Sequence, residues 1–401
     1  MPTTRAQTPA RRSSAAARIY REIDRCRICG NPDLAPLLHL GEQALTGLFP
    51  RRREQEVPGG PLELVKCRED EAGETCGLVQ LRQSYDKPTL YGKEYGYRSG
   101  LNLSMVKHLH GKVQRILGLV AVGKGDLVVD IGSNDSTLLQ AYPAEGPTLL
   151  GIDPTGKKFR RFYPPHIRLV PDFFSAAAVR REVGERKAKV VTSISMFYDL
   201  EAPLDFAREV ASVLADDGVW VLEQSYLGTM LAANAYDTIC HEHLEYYALR
   251  QIDWVARRAG LKVIEVEFNL VNGGSFSVTL AKETASHRAG EEAVRRLLAR
   301  ERRVGLHTLA PYAAFKRRVL QHRDRLIAFV ERARKRGERV YGYGASTKGN
   351  VVLQFCGFTS RDIAAIAEVN EDKFGSFPPG TKIPIVSVAQ ARTARPDYFL
   401  V

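Results

Sequence analysis

Residues 127–135, LVVDIGSND, constrain the fold of this chain more than any other stretch. Leu127, Val128 and Val129 are apolar and β-favouring, Asp130 and Ile131 follow, and Gly132 opens a turn. Beyond Asp135 the spacing of Leu138, Leu139 and Tyr142 predicts a helix. A buried strand that meets a helix start through a glycine turn leaves backbone N–H groups free to face a ligand. About twenty residues on, LLGIDPT ends a second apolar run at Asp153, where a carboxylate can take ribose hydroxyls. The full dinucleotide fingerprint is absent, because Ser133, Asn134 and Asp135 stand where further glycines would. A one-glycine turn is also a plain α/β connection. Asp153 and the Pro171-Asp172-Phe173-Phe174 stretch after a third strand favour a nucleoside-type cofactor.

Strands are expected near 127–131, 148–152, 167–170, 189–194 and 218–224, with helices between them, which is the alternation of a parallel sheet. A helix over 103–118 leads in. Ligands of such sheets lie outside the carboxyl ends of the strands, so the loop Ser193–Asp199, with Ser195 and Tyr198, should border the site. Glu223 falls near the end of the fifth strand. Ahead of the sheet, Tyr91, Tyr95 and Tyr97 alternate with Gly92 and Gly96. That segment is either a loop that folds over a ligand or a set of packing tyrosines.

Six cysteines in 401 residues are too few and too unevenly placed for a disulfide scaffold. Cys26 and Cys29 form a CxxC knuckle closed by Gly30; Cys67 and Cys76 flank the polar loop REDEAGET. Four thiolates match a closed, structural Zn²⁺ site, against the alternative of four unrelated buried cysteines. The metal would staple a small lobe without a core of its own, in a reducing compartment such as the cytoplasm.

No apolar run approaches the ~18 residues that a membrane span needs. Residues 1–20 are expected to be a disordered tail, since the small, basic start has no apolar stretch of a secretory signal. The net charge of +12 invites a nucleic-acid partner. Yet the arginines recur through 286–337 as on the solvated face of a long amphipathic helix, and basic–aromatic interleaving is sparse beyond Arg51–Arg53.

The segment YDTICHEHLEYY, 236–247, sets His241 and His243 on either side of Glu242, with Asp237, Cys240 and Glu245 close by. It lacks HExxH spacing, and the two histidines would diverge on a helix or share a side of a strand. As acid–base equipment it is better suited: a neutral imidazole beside a carboxylate can take a proton alpha to a carbonyl. Histidines satisfied structurally are the alternative. Asn272-Gly273-Gly274-Ser275-Phe276 then opens a strand that a ligand can approach closely. After the helical stretch, broken by Pro311, RVYGYGASTKGNVVLQ forms a second strand–turn–helix. Gly342 and Gly344 end its strand, and Ser346, Thr347, Lys348 and Asn350 stand at the helix start, a place for a phosphate or diphosphate. Its glycine-to-lysine spacing is not that of a P-loop. Glu368, Asn370, Lys373 and PPGTKIPI follow another short strand.

Taken together, CRICG with LHLGEQ, CGLVQL, DIGSND, YDTICHEHLEYY, NGGSF, YGYGASTKGN and PPGTKIPI resemble the S-adenosylmethionine-dependent nucleotide-sugar C-methyltransferases that build branched deoxysugars. The match covers nearly the whole chain after residue 24. The resemblance implies an α/β protein with a zinc-binding lobe (21–88), a central class I, Rossmann-like methyltransferase domain (89–284) and a C-terminal α/β nucleotide-sugar-binding domain (285–401). It implies methyl transfer to carbon 3 of a dTDP-4-keto-6-deoxyhexose in deoxysugar and antibiotic biosynthesis. By motif position, Asp130, Gly132, Asn134, Asp153, Asp172, Phe173 and Ser195 would hold the cofactor. His243 would be the base, with Glu242 beside it and Tyr95, Tyr97 and Tyr198 near the sugar. Cys240, Asn272, Gly274 and Ser275 would meet the substrate, with Gly344, Ser346, Thr347, Lys348, Asn350 and Lys373 at its nucleotide end.

Cys240 replaces a tyrosine common in that family, and Tyr198 replaces a histidine; both positions bear on which carbon is methylated. The family also continues the last strand past Val401. Two other functions fit parts of the pattern. One is methylation at oxygen or nitrogen of a sugar-like metabolite, which needs no carbon acid. The other is a zinc-lobed nucleic-acid-binding methyltransferase, with salt-sensitive binding. The second phosphate-type turn favours a small molecule, handled by a monomer or homodimer without membrane or nucleic-acid partners.

Overall fold

The computed structural model of the protein describes residues 19–70, 73–86, 90, 97–288 and 290–401. Tyr91 and Tyr95 lie outside the described residues. The N-terminal lobe is built from β1 (Tyr20–Glu22), β2 (Leu34–Ala44), β3 (Gly59–Cys67), β4 (Val79–Leu81) and β5 (Gln83–Tyr85). β2 and β3 form a long antiparallel hairpin, and β1 pairs with β5. Leu62, Leu78 and Leu81 of this lobe share one hydrophobic cluster with Phe197, Trp220 and Tyr247, so the lobe packs into the central core. That sharing is why so short a piece of chain can stay ordered.

The central domain follows as α1 (Leu103–Leu119), β6 (Leu127–Ile131), β7 (Thr148–Ile152), α2 (Gly156–Phe159), β8 (Ile167–Val170), α3 (Ala176–Val183), β9 (Ala188–Ile194), α4 (Pro203–Val213), β10 (Leu214–Ser225) and α5 (Leu227–Ala233). It closes with β11 (Glu245–Tyr246), α6 (Leu249–Arg258), β12 (Leu261–Asn269) and β13 (Ser275–Lys282). Seven of these strands form one sheet in the order β12-β13-β10-β9-β6-β7-β8. β6 to β10 run parallel, and β13 is antiparallel to both of its neighbours. All five residues of β6 are buried, as expected of a strand covered on both faces. β11 leaves this sheet and pairs with β4, adding a fourth strand to the lobe sheet β11-β4-β3-β2.

The helix expected after Asp135 does not form. Only a short 3-10 turn, Leu139–Ala141, is present. Asn134 and Ser136 adopt left-handed backbone (φ 49° and 65°), and the Asp135 carboxylate accepts the Thr137 N–H and hydroxyl. Local side-chain bonds of this kind compete with helical ones, and Pro143 ends the segment.

The C-terminal part comprises α7 (Glu291–Arg303), α8 (Ala310–Lys335), β14 (Val340–Tyr343), α9 (Thr347–Phe355), β15 (Ile366–Glu368), β16 (Ile385–Ser387), α10 (Val388–Ala394) and β17 (Tyr398–Leu400). Its four strands are parallel in the order β16-β15-β14-β17. Pro311 lies in the first turn of α8, where a missing N–H costs nothing, so α7 and α8 are separate helices. Arg295, Arg296, Arg317 and Arg332 are exposed on these helices, opposite buried Tyr312, Phe315 and Val319. No helix among the described residues is long and apolar enough to cross a membrane.

Candidate active site

The four lobe cysteines converge, with their Sγ atoms all within 4.8 Å of one another. Cys26 and Cys76 are 3.4 Å apart and Cys29 and Cys67 3.6 Å, close to the edge of about 3.8 Å that a tetrahedron with ~2.3 Å Zn–S bonds requires. Asn31 Nδ2 points at Cys67 Sγ (3.4 Å), a donor suited to a thiolate. This donor set fits structural zinc.

A cleft of about 550 Å³ opens at the carboxyl ends of β6, β7 and β9. Asp130 is buried there and accepts a bond from Thr192 Oγ1 (2.6 Å); burial pushes its carboxyl up to about 7, against the pull of that bond. Gly132 has φ 76°, and a Cβ there would sit 3.0 Å from Met196 Cγ, so a side chain would be strained and would press on Met196 where the chain turns under the cleft. Asp153 closes β7 and accepts the Asn134 N–H (2.8 Å), the Thr155 N–H (2.6 Å) and the Thr155 hydroxyl (2.5 Å). Asn134 uses its own side chain on the segment ahead of α1: Oδ1 accepts the Ser99 N–H and Nδ2 donates to the Tyr97 carbonyl. Ser195, at φ 56°, and Phe173 also line the cleft, whereas Asp172 caps the Phe173 N–H outside it. The buried carboxylates and apolar walls fit S-adenosylmethionine, but the turn does not leave the free N–H groups expected of it: those of Gly132 and Ser133 bond to the Ile152 carbonyl and that of Asn134 to Asp153.

Cys240, Glu242 and His243 line the cleft from the segment Cys240–Leu244, which forms a turn and neither a helix nor a strand; the His243 N–H bonds to the Cys240 carbonyl (3.1 Å). The two histidines therefore part. His241 is fully buried, packs edge-on against Tyr85 (4.7 Å) and donates Nε2–H to the Gln43 carbonyl (3.2 Å). His243 lines the cleft, with its ring 4.3 Å from that of Tyr198. Its Nδ1 lies 2.9 Å from the Thr238 carbonyl, which can only accept, so Nδ1 carries the proton and Nε2 keeps its lone pair. Loss of water, and secondarily the charge of Lys348, push this imidazole down to about 4. Glu242 is shifted the opposite way, up, by loss of water, and its Oε2 has no hydrogen-bond partner among the described residues. The Cys240 thiol is pushed well up by burial and then by the neighbouring Glu242.

The far end of the cleft is the start of α9. Ser346 caps it by accepting the Gly349 N–H (2.9 Å), and Ser346, Thr347 and Lys348 line the cleft. Lys348 Nζ donates to the carbonyl of Asn272, which also lines it (3.0 Å). Gly274, Ser275, Gly344, Asn350 and Lys373 stand behind this lining. Ser275 Oγ donates to Val271, Asn350 Nδ2 to Pro379 and Lys373 Nζ to Ala345, so each holds backbone. Gly344 gives the turn before α9 its positive φ, 88°, and Gly274 approaches Thr229 closely. Tyr97 lies at the opposite rim, half-exposed.

Sequence reading missed Met105 and Leu109 of α1, which wall the cleft, because an apolar pair at helical spacing reads as core. It also missed Gly47, on the loop that follows β2, where a Cβ would stand 2.4 Å from Glu242 Oε1. Nothing local in the sequence marks that approach.

Three family models match successive segments. A "Putative zinc binding domain" covers residues 26–91, a "Methyltransferase domain" 105–266 and a "C-methyltransferase C-terminal domain" 270–401. The C-methyltransferase NovU of Streptomyces niveus is 31% identical over 389 residues, covering 96% of this chain and 90% of that protein. Solved structures with some likeness include an S-adenosylmethionine-dependent methyltransferase from Clostridium acetobutylicum (10% identity, TM-score 0.35, 44% of this chain and 92% of that one). Another is the CcbJ methyltransferase from Streptomyces caelestis (15% identity, TM-score 0.34, 43% and 89%). The length and identity of the NovU match, with matched models at both ends, make carbon the methyl acceptor over oxygen or nitrogen. The chain belongs to the S-adenosylmethionine-dependent C-methyltransferases that carry an N-terminal zinc-binding domain.

Proposed function

We propose that the protein methylates carbon 3 of a nucleotide-linked 4-keto-6-deoxyhexose, of the dTDP type, with His243 as the base. One observation carries the reading: a neutral imidazole with a free Nε2 lies in a single cleft between methyltransferase strand ends and a helix start bearing Lys348. A ketone acidifies the adjacent C–H, and Nε2 takes that proton, leaving the electron pair on the enolate. Burial raises the Glu242 carboxyl above its ordinary range and so favours its protonated form, which can donate to the oxygen where negative charge collects. Tyr198 lies tilted against the base, and Cys240 adjoins Glu242; these two side chains bear on which carbon is presented. Asp130, Gly132, Asn134, Asp153, Phe173 and Ser195 surround the cofactor. S-adenosylmethionine supplies an electrophilic methyl group that a carbon nucleophile can take. The N-terminus of α9 with Lys348 receives the diphosphate.

The test incubates the protein with dTDP-4-keto-6-deoxyglucose in deuterated water, with and without S-adenosylmethionine. Deuterium beside the ketone in both samples, and a methyl group at that carbon with the cofactor, is the expected result. Neither exchange nor methylation would sink the sugar assignment.

A further inference from the structure

The zinc lobe touches both reacting ends of the cleft. On one side, β11 begins two residues after His243 and is a strand of the lobe sheet, with Glu245 opposite Gln80 and Tyr246 opposite Val79. The Leu81 N–H adds a bond to the Leu244 carbonyl (2.8 Å). Gln251 then bridges a metal ligand to the chain beyond the turn: Nε2 donates to the Cys76 carbonyl (2.9 Å) and Oε1 accepts the Ala248 N–H (3.1 Å).

On the other side, the lobe segment 43–51 is strapped to the C-terminal part. Gln354 of α9 accepts the Ala44 N–H (2.8 Å) and donates to the Ala44 carbonyl (3.1 Å), as an extra strand would. Gln43 donates to the Val351 carbonyl, the Phe377 N–H to that of Pro50, and Arg51 to those of Asp372 and Phe374. Between these anchors Gly47 passes over Glu242, close enough that a Cβ there would force the Glu242 carboxylate to move.

We infer that the zinc lobe is the positioning element of the reaction centre, and that Gln354 is the positioning residue that holds the anion-facing start of α9 at a set distance from His243. This rests on the roles proposed above for His243 and α9. A lobe that served only to cap the fold would need bonds to one neighbour. This one bonds to the base-bearing turn and to the phosphate-facing helix, whose own direct meeting is the edge-on packing of Phe355 on Tyr236 (5.7 Å). Misplacement of reacting groups by about an ångström is enough to cost large factors in rate.

The test uses the full, zinc-loaded chain with Gln354→Ala. Loss of two backbone-directed bonds should raise KM for dTDP-4-keto-6-deoxyglucose and Kd for dTDP together by about tenfold. Zinc content and S-adenosylmethionine affinity should stay within about twofold of wild type, and Gln354→Glu, which keeps the acceptor for the Ala44 N–H, should fall between. Amide hydrogen exchange should quicken in 43–46 and 346–355 and stay unchanged in the central sheet. A lower thermal midpoint with unchanged KM and Kd would make Gln354 merely structural and overturn the inference. So would parallel loss of cofactor affinity. His243→Ala separates the two readings: full turnover in that variant defeats the base assignment, while the dTDP ratio still judges the strap. If dTDP fails to bind wild type, the substrate class is wrong, and unchanged amide exchange in Gln354→Ala then refutes the strap by itself.

Discussion

Acidification probes His243 directly. With its imidazole pushed down to about 4, the group at pH 5.5 is about 97% neutral, whereas an ordinary histidine near 6.5 would be about 9% neutral. A base works only when neutral, so kcat/KM should hold nearly level from pH 7 to 5.5 and fall as pH drops toward 4. The same shift has a cost in stability, with a definite sign. A histidine whose folded pKa is depressed lends stability that is complete above 6.5 and is lost as pH falls toward 4. His241, also pushed to about 4 by burial, behaves alike, so at pH 5.5 each withdraws on the order of 1 kcal/mol. Rates should therefore be read within seconds of a jump from pH 7.5, with recovery on return as the control for unfolding. Lys348→Met sharpens the assay: removing the cation eases protonation of His243 and moves the acid limb upward. An acid limb at 6 to 6.5 in the wild type, or no upward move in the variant, would refute the electrostatic account of the base.

Three further outcomes are expected. Glu301 accepts the Leu249 and Arg250 N–H groups (2.8 and 3.1 Å) and the Tyr226 hydroxyl (3.0 Å), so it caps α6 from a distance; Glu301→Ala should cost about 2–4 kcal/mol in urea unfolding, with an unshifted midpoint as the contrary result. Asp153→Ala orphans the Asn134 N–H and removes a carboxylate from the cleft, and calorimetry should show S-adenosylmethionine affinity weakened by about ten- to a hundredfold. Chelation of the metal from the four-cysteine site should lower the thermal midpoint by on the order of 10 °C, and zinc readdition under reducing conditions should restore it.

Local pattern carried much of this molecule. The runs at 127–131, 148–152 and 167–170 are strands with those bounds; the first two carry the near-continuous apolar signature of strands covered on both faces, while 167–170 is the sheet edge, with Arg168 exposed. The cysteines converge as their pairing suggests, since four thiolates have few other reasons to sit in one short lobe. Ser346–Lys348 starts a helix because a cap, a glycine turn and the following residues are all adjacent in sequence.

What the tertiary structure decided depends on partners far along the chain. The missing helix after Asp135 is one case: to the local bonds with Thr137 the fold adds the Gly100 N–H on Asp135 and binds the Asn134 side chain to Tyr97 and Ser99, contacts that no helical periodicity can weigh. The parting of His241 and His243 is another. On spacing alone the pair is ambiguous, and it is Tyr85 and Gln43 of the lobe that bury one ring, while Thr238 and Tyr198 hold the other at the cleft. The third is the lobe itself, which in sequence is a metal knuckle at one end of the chain. In the fold it takes β11 into its sheet and Gln354 onto its edge, because unpaired backbone groups there had to find donors and acceptors wherever packing brought them. The strands, the thiol cluster and the helix start came from residues next to one another. The bonds between Ala44 and Gln354 join residues about 300 positions apart, and so come only from the folded chain.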